Sequence, residues 1–331
     1  MTLKKRRAVA LTKLSEMGER DIINSVIDKY LKEDYRNDCA AIPMGRDYIL
    51  ISSDIASYGT NIPPETPPEL IGRFVSAINL SDIAAMSGHP VGMITSISCS
   101  PDTDDSFLDS VMSGIDRTLR EYNSEILGGD TKEGHDFLVS GTILGRKEKS
   151  KTLFRKDMKK DQVLCITGKL GRPAAGSIFY YHGYMVTKGI EMLLGITPRI
   201  NEALILQELG AKAMTDLSDG LFGSLYQIKQ QTGFGARIVK NDIPVDPSVN
   251  KAREISGIDE TDIAMNYGGD YELLFTIENS DYGDFKAAVE SEKIPVSFIG
   301  ELWTGENIIF DGTSWIPIKG KGYEHFRKIR V

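Results

Sequence analysis

The chain has 331 residues, of which 41% are hydrophobic and 26% charged, so it is long enough for a large core and for two domains. Its net charge of -8 argues against a nucleic-acid binder, because binding to phosphate backbones depends on a basic surface. No apolar run reaches the length of a membrane span, and the basic N-terminus is not followed by the apolar core of a signal peptide. We therefore expect neither nucleic acid nor membrane as a partner.

The three cysteines lie far apart along the chain. Cys39, Cys99 and Cys165 show no paired spacing, so neither a disulfide framework nor a zinc site is indicated, and a cytoplasmic location is predicted. The basic run Lys4-Lys5-Arg6-Arg7 falls in residues 1–18, which we interpret as a solvated N-terminal tail.

Residues 19–146 are predicted to form a first domain in which helices and strands alternate. In chain order its elements are a helix over 22–30, a strand over 48–51, a helix over 69–87, a strand over 91–98, a helix over 107–119 and a strand over 137–144. The first strand runs into Ser52, Ser53 and Asp54, which places two hydroxyls and a carboxylate at its end. Gly128, Gly129 and Asp130 are predicted as a turn, since paired glycines let the backbone approach a ligand closely.

The helix over 69–87 carries one carboxylate on its apolar stripe. Asp82 lies seven residues after Val75 and four after Ile78, so all three share one face. A buried carboxylate is costly unless it is paired, protonated or bound to a cation. Two alternatives remain open: Arg73 pairs with Asp82, or the helix breaks at Asn79.

The charged stretch over 146–161 indicates a domain boundary, and residues 147–331 form the second predicted domain. Its predicted elements are a strand over 163–167, a strand over 213–215, a helix from 221, a strand over 271–277, a helix over 282–289, a strand over 296–302 and a hairpin that pairs 308–310 with 315–316. Both halves mix strands with helices, so the fold class is α/β, of the α+β type.

The stretch from Asp216 to Leu221 sits at a predicted strand-to-helix junction. Ser218 is a candidate N-cap and Asp219 a first-turn acid, which by itself would need no chemistry. Similar acids occur at other turns, strand ends and helix faces. Together these candidates are Asp38, Asp54, Asp82, Asp130, Asp216 and Asp219. If they converge, their repulsion demands cations, and Mg²⁺ shared with nucleotide phosphates is the natural choice.

The usual nucleotide signatures are absent. The glycines at 171 and 176 imitate a phosphate-binding loop, but Ser177 stands where its lysine belongs. The four histidines show no catalytic context either.

Five motifs in order resemble the thiamine-monophosphate kinase family, within a superfamily that includes aminoimidazole ribonucleotide synthetase and selenophosphate synthetase. They begin at Asn79 (NLSDIAAM), Gly128 (GGDT), Asp216 (DLSDGL), Asp270 (DYELLF) and Gly322 (GYEHF), and the resemblance covers about residues 15 to 326. It implies a kinase that transfers the γ-phosphate of ATP, its co-substrate, to thiamine monophosphate with Mg²⁺. It also implies a homodimer whose N-terminal sheets pair, and a C-terminal domain of layered sheet and helices.

Carried over by position, the resemblance implies specific site residues. Metal-binding positions are Asp38, Ser52, Ser53, Asp54, Asp82, Asp130, Asp216 and Asp219. ATP-binding positions are Gly129, Asp130, Arg155 and Ser218, although Lys-Asp-Met after Arg155 departs from the family's small-residue motif. Asp216, Ser218 and Asp219 are the candidate catalytic residues.

The acceptor side departs from the family pattern. The family's substrate-contacting His, seven residues after the Asp54 position, is Asn61 here, and its substrate-contacting Glu before Asp270 is missing. Tyr323 matches. Two alternatives therefore stay open: the same phosphotransfer to another phosphorylated acceptor, and a nucleotide-binding protein without catalysis.

Overall fold

The structure, a computed structural model, describes residues 13–31 and 36–326. The basic run predicted as a tail lies outside these residues. The first helix, α1, is Glu19–Ile22, and it continues as a π-helical turn over Ile23–Ile27 and a 3-10 turn over Asp28–Tyr30. The helix predicted over 22–30 is therefore not a regular α-helix, and its apolar side chains are exposed, 46% for Val26 and 85% for Tyr30.

Five strands form the first sheet: β1 Ala40–Met44, β2 Asp47–Ser57, β3 His89–Cys99, β4 Ile126–Glu133 and β5 Leu138–Glu148. Their spatial order is β1-β2-β5-β3-β4; β3 and β4 run parallel and the other neighbours antiparallel. Side chains alternate between the two faces of a strand, so Leu50 and Ala56 of β2 point into the core together with Ser52 and Asp54.

Two predicted boundaries in this sheet were wrong. The strand predicted to end at Ile51 runs on to Ser57, which puts Ser52, Ser53 and Asp54 inside β2. Gly128, Gly129 and Asp130 lie inside β4, not in a turn. Glycine serves here for close strand packing, because a Cβ on Gly129 would lie 2.1 Å from the Thr95 carbonyl oxygen of β3.

Two long helices cover one face of this sheet, α2 (Pro68–Ala85) and α3 (Asp105–Glu121). They cross with their backbones nearly in contact. A Cβ on Gly72 would lie 2.0 Å from the Val111 carbonyl oxygen, and one on Gly114 would lie 2.1 Å from that of Glu69. The helices predicted over 69–87 and 107–119 are confirmed to within two residues at each end.

Seven strands form the second sheet: β6 Val163–Thr167, β7 Ala213–Asp216, β8 Gly235–Val239, β9 Leu273–Ile277, β10 Val296–Trp303, β11 Ile308–Phe310 and β12 Trp315–Pro317. Their order is β12-β11-β8-β10-β6-β9-β7. The predicted hairpin is confirmed, because Ile309 of β11 pairs with Ile316 of β12. The helices here are α4 Arg172–Tyr181, α5 Val186–Leu194, α6 Ile200–Glu208, α7 Leu221–Thr232, α8 Ser248–Ser256 and α9 Tyr282–Ser291.

Helix α2 joins the two sheets. It packs against β2 and β5 of the first sheet and also against β7, α5 and α6 of the second half. One hydrophobic cluster accordingly extends from Leu50 and Ile78 to Met214 and Phe275. The mixed α/β class predicted from the sequence is confirmed. No helix among the described residues is both long and apolar enough to span a bilayer.

Candidate active site

Asp82 faces the first sheet from the last turn of α2. The Ser52 hydroxyl donates to Asp82 Oδ2 at 2.5 Å, and the Asp54 carboxyl lies near enough for its charge to raise the pKa of Asp82. Both alternatives left open by the sequence were wrong, since Arg73 pairs with Glu121 and α2 continues unbroken through Asn79.

Asp216, the last residue of β7, reaches the same place from the second sheet. The Ser81 hydroxyl of α2 donates to Asp216 Oδ2 at 2.6 Å, so Ser81 contacts the second sheet while its neighbour Asp82 contacts Ser52 of the first. Asp38 completes the group. One carboxylate oxygen from each of Asp38, Asp82 and Asp216 lies within 4.8 Å of the others.

Asp38 uses its two oxygens differently. Its Oδ1 accepts from Arg155 Nη2 at 2.7 Å and from the Thr215 hydroxyl at 2.8 Å. Its Oδ2 is buried without a hydrogen-bond partner among the described residues. A buried carboxylate oxygen in this state is costly unless a cation binds it. The donor set consists of hard oxygen atoms, which fits Mg²⁺ better than it fits zinc.

Ser218 does not cap a helix. Helix α7 begins at Leu221, its N-cap is Gly220, and no side chain caps it, so the predicted capping role was wrong. The backbone of 217–220 is instead held by the loop that contains Gly268 and Gly269. Gly269 N donates to the Ser218 carbonyl oxygen at 2.7 Å, and the Ser218 side chain is exposed.

Asp219 is linked to the three-acid group through a chain of polar contacts. Gln227 Nε2 donates to Asp219 Oδ2 at 3.1 Å, while Gln227 Oε1 accepts from Arg155, which in turn pairs with Asp38. Arg20 of α1 lies 3.6 Å from Asp219 Oδ2. Tyr323 N donates to the Asp219 carbonyl oxygen at 3.0 Å, so the predicted acceptor-side residue borders this acid.

Burial governs the electrostatics of these acids. It is the main cause that raises the pKa of Asp54, Asp82 and Asp219, and it raises the pKa of Asp216 to about 7. The charges of Asp54, Asp216 and Asp38 raise the pKa of Asp82 further. Each ionised carboxylate therefore makes its neighbours harder to ionise until a cation is bound.

These shifts predict a specific pH dependence for the metal-free protein. A carboxyl whose pKa is higher in the folded than in the unfolded state stabilises the fold fully below the unfolded pKa, and this stability is lost as pH rises through the folded pKa. For Asp216 that window runs from its ordinary pKa of 3.8 to about 7. We expect the free energy of unfolding in EDTA to fall across this range, and added Mg²⁺ to reverse the fall at pH 7. Urea unfolding at several pH values measures this; a metal-free stability that rises steadily from pH 4 to 7 would contradict it.

Four predicted residues lie apart from this group. Gly129 is in register with Asp54 across β5 and β3, three strand spacings or roughly 14 Å away, and Asp130 beside it is exposed. The Ser53 hydroxyl points to the opposite face, where it donates to the Gly141 carbonyl oxygen. Asn61 turns back on its own loop, since its Oδ1 accepts from Ser57 N at 3.0 Å.

Sequence reasoning missed several residues that line the group. Thr215, Gln227 and Ser81 are polar residues in otherwise ordinary strand and helix patterns, and nothing local marks their contacts. Tyr271 does carry a signal, because it lies two residues after the paired glycines Gly268 and Gly269. Its φ of +51° is unusual for a non-glycine residue, and the charges of the nearby acids add to the burial that raises its pKa.

Comparison with known proteins places this geometry in a family. Residues 36–147 match the model of the AIR synthase related protein, N-terminal domain, and residues 159–311 match that of its C-terminal domain. A thiamine-monophosphate kinase of Buchnera aphidicola subsp. Acyrthosiphon pisum is 30% identical over 91% of this chain and 98% of its own length. One from Pyrococcus horikoshii is 29% identical over 95% and 98%.

Solved structures share the fold. AaThiL complexed with AMPPCP and TMP superposes with a TM-score of 0.84 at 23% identity, over 96% of this chain and 100% of that one. Thiamine-monophosphate kinase from Stenotrophomonas maltophilia gives 0.73 at 26% identity, over 88% and 96%. On the strength of the 30% identity over nearly the whole length and of both domain matches, this chain belongs to the thiamine-monophosphate kinase family.

Proposed function

We propose that this protein is a Mg²⁺-dependent kinase that transfers the γ-phosphate of ATP to thiamine monophosphate, giving thiamine diphosphate and ADP. The observation that carries the proposal is the convergence of Asp38, Asp82 and Asp216 within 4.8 Å, with Asp38 Oδ2 buried and unpaired. The names of the relatives supply the substrate, and the complex of AaThiL with AMPPCP and TMP supports both ligands.

The metal would be held by the three converging acids, Asp38, Asp82 and Asp216, together with Asp54 and Asp219. Bound magnesium neutralises phosphate charge and bridges phosphate oxygens during phosphoryl transfer. The protein's own part is to keep the acids in place: Ser52 of β2 donates to Asp82 of α2, and Ser81 of α2 donates to Asp216 of β7. Arg155 offers a guanidinium beside Asp38, within reach of a phosphate that enters the same space.

We assign Gly129 and Asp130 to the nucleotide end of the site, roughly 14 Å from Asp54 across three strand spacings. Gly141 and Thr95, which lie between them on the core-facing row, are buried beneath α2. The nucleotide would therefore reach Gly129 and Asp130 from the exposed side of β4, and its phosphates would meet the acids. Ser218, exposed on the loop beside Asp219, is assigned to the phosphates.

The test is a direct assay with purified protein, ATP, Mg²⁺ and thiamine monophosphate. We expect thiamine diphosphate and ADP in equal amounts, at roughly the 1 to 100 turnovers per second usual for kinases. ATP binding without any transfer to a range of phosphorylated acceptors would contradict the proposal and favour a non-catalytic nucleotide-binding protein.

One observation favours a second candidate, the same transfer to a different phosphorylated acceptor. Asn61 accepts hydrogen bonds from Ser57 N and the Thr60 hydroxyl, so its carbonyl end is engaged in its own loop. Transfer to another phosphorylated small molecule, with thiamine monophosphate ignored, would establish this alternative.

The homodimer is part of the proposal. The face of the first sheet opposite α2 and α3 carries apolar side chains that no other described residue covers: Ile42 is 48% exposed, Met44 61%, Ile55 56% and Ile94 42%. Such a patch is typical of a protein interface, and a second copy of the same sheet is a self-complementary cover. We also place the enzyme in the cytoplasm, because Cys39, Cys99 and Cys165 are free thiols.

Charged substitutions on this face test the dimer. Ile55→Asp combined with Ile94→Asp should convert the protein to monomer, because two desolvated carboxylates would oppose the pairing of apolar surfaces. Light scattering coupled to gel filtration measures the mass. Ile316→Asp, at a comparably exposed apolar position on β12, is the matched control and should leave the dimer intact. A wild type that is monomeric at micromolar concentration would refute the interface.

A further inference from the structure

A cavity of about 460 Å³ opens at the end of the first sheet that is remote from the acids. Asp47, the first residue of β2, lies in its wall. Asp54 comes seven residues later on the same strand, which separates the two places by roughly 23 Å. The cavity therefore does not belong to the proposed active site.

A buried lysine forms one wall of this cavity. Lys147 of β5 is only 5% exposed, and its ammonium donates to the Ser87 hydroxyl at 2.9 Å and to Gln207 Oε1 at 3.0 Å. Both partners are neutral. A buried ammonium without a hydrogen-bonded anion is costly, and burial accordingly lowers the pKa of Lys147 to about 8.

Two further basic groups face the same space. Arg46, in the turn between β1 and β2, forms no ion pair with any described residue, and His89 lies at the start of β3. Burial is the main cause that lowers the pKa of His89, and the positive charges of Lys147 and Arg146 lower it further. The His89 imidazole is therefore a neutral hydrogen-bonding group at pH 7.

Three carboxylates lie in the wall, and the charges of Glu208 and Glu148 only partly offset the effect of burial on Lys147. Asp47 is bound to Arg146 at 2.7 Å, and Glu208 to Lys151 at 2.8 Å. Glu148 accepts from the Ser150 hydroxyl. An ammonium, a guanidinium and a neutral imidazole thus line the cavity, and Glu148 is the one carboxylate of its wall without an ion pair among the described residues, in a protein whose net charge is -8.

We propose that this cavity is a second ligand site, which binds a small molecule through a phosphate group. A phosphate dianion offers several acceptor oxygens and enough charge for more than one cation, whereas a single carboxylate would neutralise only one. The volume of about 460 Å³ lies in the range of small-molecule sites, so the phosphate can be free or carried on an organic group. The site does not depend on the proposed phosphotransfer, but Asp47 and His89 lie on the sheet face assigned above to the homodimer, so the titration is carried out on the protein in its native oligomeric state.

The test is a titration of the full-length protein with inorganic phosphate, pyrophosphate and ribose 5-phosphate, followed by thermal shift and calorimetry. EDTA is present so that the unneutralised acids of the other site repel anions, and chloride keeps the ionic strength constant. We expect saturable stabilisation of the wild type by at least one of these probes. Tighter binding of ribose 5-phosphate than of phosphate would identify an organic phosphate as the ligand, and the reverse order free phosphate.

Variants locate the binding. Arg46→Gln combined with His89→Gln changes two exposed side chains and should weaken binding at least tenfold without affecting the fold. Lys147→Met should also weaken binding at least tenfold. Comparison of the two variants separates the contribution of the buried ammonium from that of the exposed Arg46 and His89. Lys286→Gln removes an exposed charge from α9 and serves as the control, with unchanged binding. No saturable shift in the wild type, or the same affinity in the Arg46/His89 variant, would overturn the proposal.

Discussion

Asp216→Asn is expected to reduce Mg²⁺-dependent turnover by at least about 10²-fold, the scale seen when one preorganised electrostatic contact is removed from an active site. The amide keeps an oxygen that can accept from the Ser81 hydroxyl, so the link between α2 and β7 survives. It removes one negative charge from a group whose buried acids oppose each other's ionisation.

The same substitution should raise stability in the absence of metal. Because the ionised form of Asp216 is costly at neutral pH, the neutral amide should increase the melting temperature in EDTA while the stabilisation by Mg²⁺ shrinks. Asp284→Asn, on the exposed side of α9, is the control and should change neither quantity. Full turnover in Asp216→Asn would remove this acid from the proposed metal site.

Arg199→Leu is expected to lower the free energy of unfolding by about 3–5 kcal/mol, the usual cost of removing one partner of a buried ion pair. Arg199 Nε donates to Glu272 Oε2 at 2.8 Å, and Nη2 pairs with Oε1 of the same carboxylate. Glu272 is 6% exposed, and the Thr167 hydroxyl is its other donor, at 2.6 Å. Without Arg199 the carboxylate would remain buried beside a single neutral group.

Two controls isolate this effect in chemical denaturation. Arg237→Leu breaks an exposed pair with Glu301 and should cost no more than about 1 kcal/mol. Arg199→Leu combined with Glu272→Leu should recover much of the loss, because no unpaired charge is then buried. If Arg199→Leu costs as little as Arg237→Leu, the pair contributes nothing beyond a surface contact. The motif at 270–275 contains Glu272, and its presence would then not be explained by this ion pair.

Local sequence patterns predicted much of the fold. Helices α2 and α3, strand β6 and the hairpin of β11 and β12 follow from apolar periodicity and turn residues, since side-chain spacing reports directly on which face of an element is buried. The same logic marked Asp82, a carboxylate on an apolar face. It failed at β4, because Gly129 looks like a turn residue until the strand beside it is known.

The sequence by itself determined the element types, the oxygen-rich chemistry of the site and, through its ordered motifs, the family. Only the tertiary structure decided which acids meet. Asp38, Asp82 and Asp216 are separated by 44 and 134 residues, and they converge because α2 packs against both sheets. Likewise, Ser218 is no cap and Lys147 is a buried cation, because helix starts and burial depend on contacts between distant segments, which no local pattern encodes.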